Sequence, residues 1–462
     1  MQALRWIINL LAAALVGIVL DALSSSRSVA PAVTIATLVV VVIALGLQLW
    51  PYLPRRVQPS WRQVPIELDQ FSPAPSENFP PNWINQVSWR DIFWLSKSRG
   101  WLAGAVSEGG GHDDVGLGAL LFSYGGPTWN LVPNEKFNSG EGAFTWGPEY
   151  MGGGRPYRWT DVGPIQNIRF YQPVSARRTS RVDGWAATAT GIYRTTDAGQ
   201  TWQRSTPAPD SKDTPERFAF YFGIGGVEGF QELYATGWQG ITHSIGGFNW
   251  DLQKPTYFYY ISAVAVTGGS ENRNVWAVGL SGHDELGRGD RSRGAIYHLA
   301  WPRNQWEMVS LPGVHFEPGQ GFKDLLVNDK RLIVCGDRGL VVRGILERDG
   351  TWNFRQIGGT VKLLYADEVL SSIAEHEGVI YIVGQKGSIL YSRDDGLSWT
   401  GSDKVEDAAG NKLSLSDKTL NRIRFFNNQG WILGTGIVLK SVELPVEKKE
   451  RSRPIPSNSS DE

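Results

Sequence analysis

Seven tryptophans close the same short phrase in this chain: Trp61, Trp129, Trp202, Trp250, Trp306, Trp352 and Trp399. Six of them follow a turn-forming stretch, as in Asp-Ala-Gly-Gln-Thr-Trp202, Arg-Asp-Gly-Thr-Trp352 and Asp-Gly-Leu-Ser-Trp399. A phrase that returns roughly every 45–75 residues marks a repeat architecture and restricts the fold to units that stack on copies of themselves. A second phrase, a short apolar strand ending in a small residue, also occurs seven times. Examples are Gly100-Trp-Leu-Ala-Gly104, Val275-Trp-Ala-Val-Gly279 and Gly430-Trp-Ile-Leu-Gly434. A more polar strand precedes it, as at Asn421-Arg-Ile-Arg-Phe425, and a further strand such as Ser388-Ile-Leu-Tyr-Ser392 follows it. Four short strands per unit, rich in β-branched and aromatic residues and bounded by glycine, read as one blade of a propeller.

The unit at about 420–445 has three such strands and no closing tryptophan. The missing strand stands at the other end of the repeat region, as Ser60-Trp61-Arg-Gln-Val-Pro65. The expectation is an all-β, seven-bladed β-propeller over residues 57–445, whose N-terminal strand closes the last blade and leaves only short, protected sheet edges.

Two of the turns, Thr195-Thr-Asp197-Ala-Gly199-Gln-Thr201-Trp202 and Ser392-Arg-Asp394-Asp-Gly396-Leu-Ser398-Trp399, resemble Asp-box (BNR) repeats. Such repeats occur in sialidases, in sortilin-type receptors and in photosystem II assembly-factor-like propellers. The neighbouring Gly-Trp-Ala phrase is most similar to the last group. The resemblance implies a structural job for Asp197, Gly199, Trp202, Asp394, Gly396 and Trp399. The aspartate accepts backbone N–H groups, the glycine takes a positive φ, and the tryptophan packs between blades. These aspartates are not catalytic candidates, and the fold itself hosts many functions.

Ahead of the repeats lie two apolar stretches, at about 6–23 and 29–50, which read as a transmembrane helical hairpin within residues 1–56. The first could instead be a signal peptide, in which case the second would still anchor the chain. Arg5, Arg55 and Arg56 flank the pair and only Arg27 lies between the two stretches. This charge bias places the propeller on the cytoplasmic side of a membrane, with an extracytoplasmic placement as the alternative, since many Asp-box propellers work outside the cytoplasm. The single cysteine, Cys335, excludes an intramolecular disulfide. Residues 446–462 form a charged tail without a hydrophobic core of its own, expected to be disordered. The net charge of −1 and the absence of a basic run in the propeller argue against nucleic acid as a partner.

Departures from the repeat mark where recognition is expected. Two of the turns between second and third strands are long and share a phrase, Gly111-His112-Asp113-Asp114 and Gly282-His283-Asp284-Glu285. His112, Asp113, Asp114, His283, Asp284 and Glu285 have the donor types for a divalent ion, although an ordered loop with capping aspartates explains them as well. No other cofactor is implied. The link at about 133–163 carries Trp146, Tyr150, Arg155, Tyr157, Arg158 and Trp159, the aromatic and arginine residues typical of binding hot spots. Arg90, Arg169, Arg422 and Arg424 fall on expected innermost strands and invite comparison with the carboxylate-binding arginines of sialidases. Against that stand the blade count, the lack of a Phe/Tyr-Arg-Ile-Pro start and the lack of an assignable Tyr/Glu pair. The resulting expectation is a membrane-anchored, non-enzymatic propeller that binds a protein or membrane protein complex as a recognition or assembly scaffold, with no catalytic residues. The alternatives are a sialidase-like glycan-acting enzyme, or a ligand or ion sensor that signals through the hairpin.

Overall fold

The chain divides into Met1–Val57 and Gln58–Glu462. The computed structural model describes residues 58–445 apart from 76–78, 108–115, 125–127, 134–135, 139–162, 172–181, 207–220, 227–231, 239, 254–257, 269–272, 283–291, 301–304 and 358–366. Both expected membrane spans and the charged tail lie outside the described residues.

Seven β-sheets follow one another along the chain, each built on four antiparallel strands. Their innermost strands are Val87–Ser96, Ile165–Tyr171, Tyr221–Gly226, Phe258–Thr267, Phe322–Val327, Leu370–His376 and Leu420–Phe426, which we number as blades 1 to 7. The second strands are the Gly-Trp-Ala phrases. Asp183–Thr188, Arg331–Gly336 and Val379–Gly384 are buried at every position, because both faces of the sheet pack against neighbouring blades. A strand covered on both faces needs a nearly continuous apolar run, and these segments have one. The hydrophobic cores therefore lie between blades. Trp101 from blade 1 joins Ile168, Phe170, Tyr193 and Trp202 from blade 2 in a single cluster.

The ring closes as the sequence suggested. Ser60–Gln63 pairs antiparallel with Ile437–Glu443 as the fourth strand of blade 7, with Trp61 opposite Ser441. Trp61 is fully buried and meets the ring of Tyr381 from blade 6 edge-on at 6.2 Å. Five of the closing tryptophans are buried, whereas Trp306 and Trp352 are only half-buried. In blade 5 the buried place goes to Phe354, two residues further on, and Trp352 packs instead on Trp276 at 4.9 Å.

The sheets differ from a strict four-strand repeat in one respect. Glu67–Leu68, Phe137–Asn138 and Val405–Glu406 add a fifth, parallel strand to the outer edges of blades 1, 2 and 7. Each belongs to the link that has just left the preceding blade, so the link covers the open edge of the next sheet and pairs its exposed N–H and C=O groups. Among the described residues there is no α-helix. The named helical segments are single 3-10 turns, Trp83–Asn85 and Asp337–Gly339, and no described helix is long and apolar enough to cross a membrane.

Candidate functional site

Every innermost strand carries a bulge, between Trp89 and Asp91 in blade 1, Ile165 and Asn167 in blade 2, Phe322 and Asp324 in blade 5, Leu370 and Ser372 in blade 6, and Leu420 and Arg422 in blade 7. Blades 3 and 4 repeat it before Gly223 and Ala263. A bulge re-aims the side chain that follows it. In blades 1, 2 and 5 the residue after the bulge reaches across to the next blade. Asp91 Oδ2 accepts the backbone N–H of Ile168 at 3.1 Å and the side-chain amide of Asn167 at 2.6 Å. Asn167 Oδ1 in turn accepts the N–H of Ile224 at 3.0 Å. Asp324 Oδ2 does the same in blade 5, taking the N–H of Ile373 at 3.2 Å and the Ser372 hydroxyl at 2.8 Å. These bonds form a polar belt at the inner edge of the ring, where a buried carboxylate or amide stitches one sheet to the next.

Three arginines converge on this belt. Arg424 donates through Nε to Asp91 Oδ1 at 3.0 Å, and Arg422 through Nη1 to Asp324 Oδ2 at 3.2 Å. Both come from blade 7, and they reach in opposite directions round the ring, to blade 1 and to blade 5. Arg169, in blade 2, donates through Nε to the carbonyl of Ile224 at 3.2 Å and forms no ion pair among the described residues. With Arg90 at the blade 1 bulge, guanidinium groups outnumber the two carboxylates at this edge. Burial alone would raise the Asp91 carboxyl, but Arg424, Arg422 and Arg169 outweigh it and hold the group below the usual carboxylate range. Burial, followed by the repulsion of Arg424, pushes the Arg169 guanidinium down to about 10. Asp91 and Asp324 work the other way on Arg424 and raise it despite its burial. The fourth arginine expected here, Arg90, stands at the blade 1 bulge and donates to Gln166 Oε1 at 2.5 Å.

The sequence reading found these arginines but missed Asp91, Asn167, Asp324 and Ser372. The signal was available. Each is a polar residue directly before a buried aliphatic one on an innermost strand, as in Asp91-Ile92, Asn167-Ile168 and Ser372-Ile373.

The turns singled out for their aspartates lie away from this belt. Asp197 Oδ1 accepts the N–H groups of Gln200 at 3.0 Å and Thr201 at 2.9 Å, and Oδ2 accepts the Thr201 hydroxyl at 2.5 Å. Asp394 accepts the N–H of Ser398 at 2.8 Å and its hydroxyl at 2.5 Å. Gly199 and Gly396 have φ of 82° and 83°, a region that suits glycine. The Trp202 ring N–H donates back to Gly199 O at 3.1 Å. On the second-strand side, the Trp101 ring N–H of blade 1 donates to Ala198 O at 3.1 Å. The two repeated phrases therefore meet across a blade interface. A reduced version, not singled out from the sequence, stands at Asp349, whose Oδ1 accepts the N–H of Thr351 at 2.9 Å.

Trp146, Tyr150, Arg155, Tyr157, Arg158 and Trp159 lie outside the described residues, as do His112, Asp113, Asp114, His283, Asp284 and Glu285. Among the described residues no group of three His, Cys, Asp or Glu side chains is placed to hold a metal ion.

A Tyr/Glu pair does exist. The Tyr234 hydroxyl donates to Glu232 Oε1 at 3.1 Å, and Glu232 also meets His243 Nε2 at 2.7 Å and Arg273 Nη1 at 2.5 Å. It stands on the second strand of blade 3, within the core shared with blade 4, and not on the arginine belt. Burial, then Glu232, pushes the Tyr234 phenol far above its usual range, the opposite of what an activated nucleophile needs.

No protein-family model matches the chain, and no curated protein matches it either. Solved structures do. It is similar to YCF48 from Cyanidioschyzon merolae, at 16% identity and a TM-score of 0.48, over 82% of this chain and 98% of that one. A structure of YCF48 bound to D1 peptide is 17% identical over 83% and 100% of the two chains, with a TM-score of 0.46. An inactive virginiamycin B lyase from Staphylococcus aureus gives 13% identity over 78% and 96%, with a TM-score of 0.47. At these levels the chemistry has to be read from the belt itself.

Proposed function

We propose that this chain is a membrane-anchored, non-enzymatic propeller that recognises a protein or protein complex and serves as an assembly scaffold. One observation supports this reading above the others. The carboxylates of the inner belt are engaged in bonds between blades, and the arginines there outnumber them. Acid–base catalysis on a glycan needs two carboxyl groups free to exchange protons with substrate. Asp91 and Asp324 instead accept arginine and backbone donors. A locked acid with a surplus cation is the electrostatic character of a binding surface. The link at 133–163 is the proposed recognition segment, and the two apolar stretches at 6–23 and 29–50 are the proposed anchor, with the propeller on the cytoplasmic side.

The test is gentle extraction of the full-length protein from its own membrane, followed by mass spectrometry of what accompanies it. Reproducible enrichment of one complex, lost when 133–163 is shortened, is the expected result. A chain that emerges without a partner and hydrolyses glycans would overturn the reading.

A further inference from the structure

Among the described residues nine large hydrophobic side chains are exposed, and five of them, Tyr124, Ile245, Phe248, Leu397 and Val442, share one end of the ring. Antiparallel strands reverse at alternate ends of a sheet, so the first-to-second and third-to-fourth turns of a blade stand at the same end. Tyr124 stands at the third-to-fourth turn of blade 1, Ile245 and Phe248 at that of blade 3, and Leu397 at that of blade 6. Val442 is near the end of the third strand of blade 7, beside Ser60, where the chain enters the ring. Bonds between blades hold these ends together. The Trp101 ring N–H reaches Ala198 O in the turn of blade 2, and the Trp185 ring N–H reaches Gly247 O in the turn of blade 3 at 3.4 Å. Of the other four exposed side chains, Leu252 and Met308 are on outer strands, Phe71 is in a link and Trp238 stands at the opposite end.

The five tips do not form one patch. They come from four blades, and only Ile245 and Phe248 share a turn. A folded partner is met by contiguous apolar surface, whereas separate points at one end of a ring suit a surface that is flat and fluid. A cation accompanies three of the tips. Arg99 Cζ lies 5.4 Å from the centre of the Tyr124 ring, Arg194 Cζ lies 3.6 Å from that of Phe248, and Lys440 is exposed two residues before Val442. An apolar side chain beside a long cationic one is the arrangement found at a membrane–water boundary. From this geometry we infer that the Asp-box end of the ring is a lipid-contacting surface, at which these five side chains enter the headgroup region of a bilayer. The lipid is zwitterionic, because Asp329, Glu377 and Glu443 are exposed at the same end and offset the cations. Insertion of apolar tips therefore holds the contact, and screening by salt leaves it in place. The inference rests on the membrane part of the reading above and adds a contact made by the propeller itself.

The probe is a phosphatidylcholine vesicle holding the full-length protein. Ile245, 76% exposed, is the most accessible of the five tips, and Ile245→Cys carries a fluorescent label there. Gln385→Cys, exposed in the second-to-third turn of blade 6 at the opposite end, carries the same label as a control. The native Cys335 is fully buried, which leaves the introduced thiol as the site of labelling. Bromine atoms near the head of the acyl chains should abolish emission from the label at 245 and spare the one at 385. Iodide in the water should do the reverse, at low and high salt alike. Quenching of both labels by iodide would overturn the assignment, and so would protection of 245 from both reagents, the mark of a protein contact. Leu397→Cys repeats the measurement from blade 6 should the blade 3 variant fail to fold. An alkaline wash of the vesicles keeps the two readings apart. A chain that survives the wash with an iodide-accessible label at 245 fails this inference alone. A chain stripped by the wash, after its label had been quenched by bromine, fails the proposed anchor alone.

Discussion

Two pairs of aspartates do similar chemistry in different parts of the ring. Asp197 and Asp394, in the outer turns, gather N–H groups from residues three or four positions further along the chain. Asp91, on the inner belt, gathers them from residues 76, 77 and 333 positions away. Asp324 likewise draws on blades 6 and 7. The outer carboxylates shape a turn that each blade can form for itself. The inner ones have partners only when the neighbouring blades are already in place, and their bonds are made in surroundings with little water, where an unmatched charge is costly.

That difference can be broken experimentally. The largest effect is expected from deleting residues 60–63, which removes the fourth strand of blade 7 and the Trp61 ring buried against blade 6. Urea unfolding of the full-length chain should then lose its single cooperative transition, and an unchanged transition would show that closure does not hold the belt together. Asp91→Ala comes next. It strands Arg424 beside Arg169 and Arg422, and breaking one side of a buried ion pair costs about 3–5 kcal/mol. The midpoint of denaturation should fall accordingly. Asp197→Ala and Asp394→Ala should cost about 1–2 kcal/mol each, the value for local hydrogen bonds reduced for turns open to water. A loss at Asp197 as large as that at Asp91 would erase the distinction between belt and turn.

The smallest effect near neutrality is that of pH. Asp91, Asp197 and Asp394 all have folded-state values below the ordinary carboxylate range. A depressed value means that the folded state binds its proton later than the unfolded chain, which takes it up near pH 3.9. The stability these groups contribute is therefore fully present above about pH 4 and is lost as pH falls through their folded values. Melting curves should show no contribution from them between about pH 5 and 8, and a decline only below about pH 4.

What could be read in the sequence follows the same division. The blade count, the closing strand at Trp61 and the turns at Asp197 and Asp394 are written in contiguous residues, so a repeated phrase reveals them. Trp352 looked like its six counterparts, yet Phe354 took the buried place, because burial is decided by the facing blade and not by the phrase. The belt is harder still. Arg169, Arg422 and Arg424 were recognisable as inner-strand residues, but which arginine is neutralised depends on register and on a bulge that brings distant strands together. Asp91 and Asp324 carry no local turn signal, since each stands between ordinary strand residues. The fifth strands at Glu67–Leu68, Phe137–Asn138 and Val405–Glu406 are two residues long, too short for alternation to register.

Ring closure also fixes where the chain leaves the propeller. Ser60 pairs with Glu443, so the first and last strands of the ring end side by side. The polypeptide is in effect a circle cut at one point. A short peptide joining these ends, with new termini opened in another blade-to-blade link, should give a circular permutant that folds to the same ring. In the native order, whatever precedes Gln58 and whatever follows Leu444 depart from neighbouring positions on blade 7. The ring is thus open at blade 7 alone, and each of the other six blades is entered and left from within it.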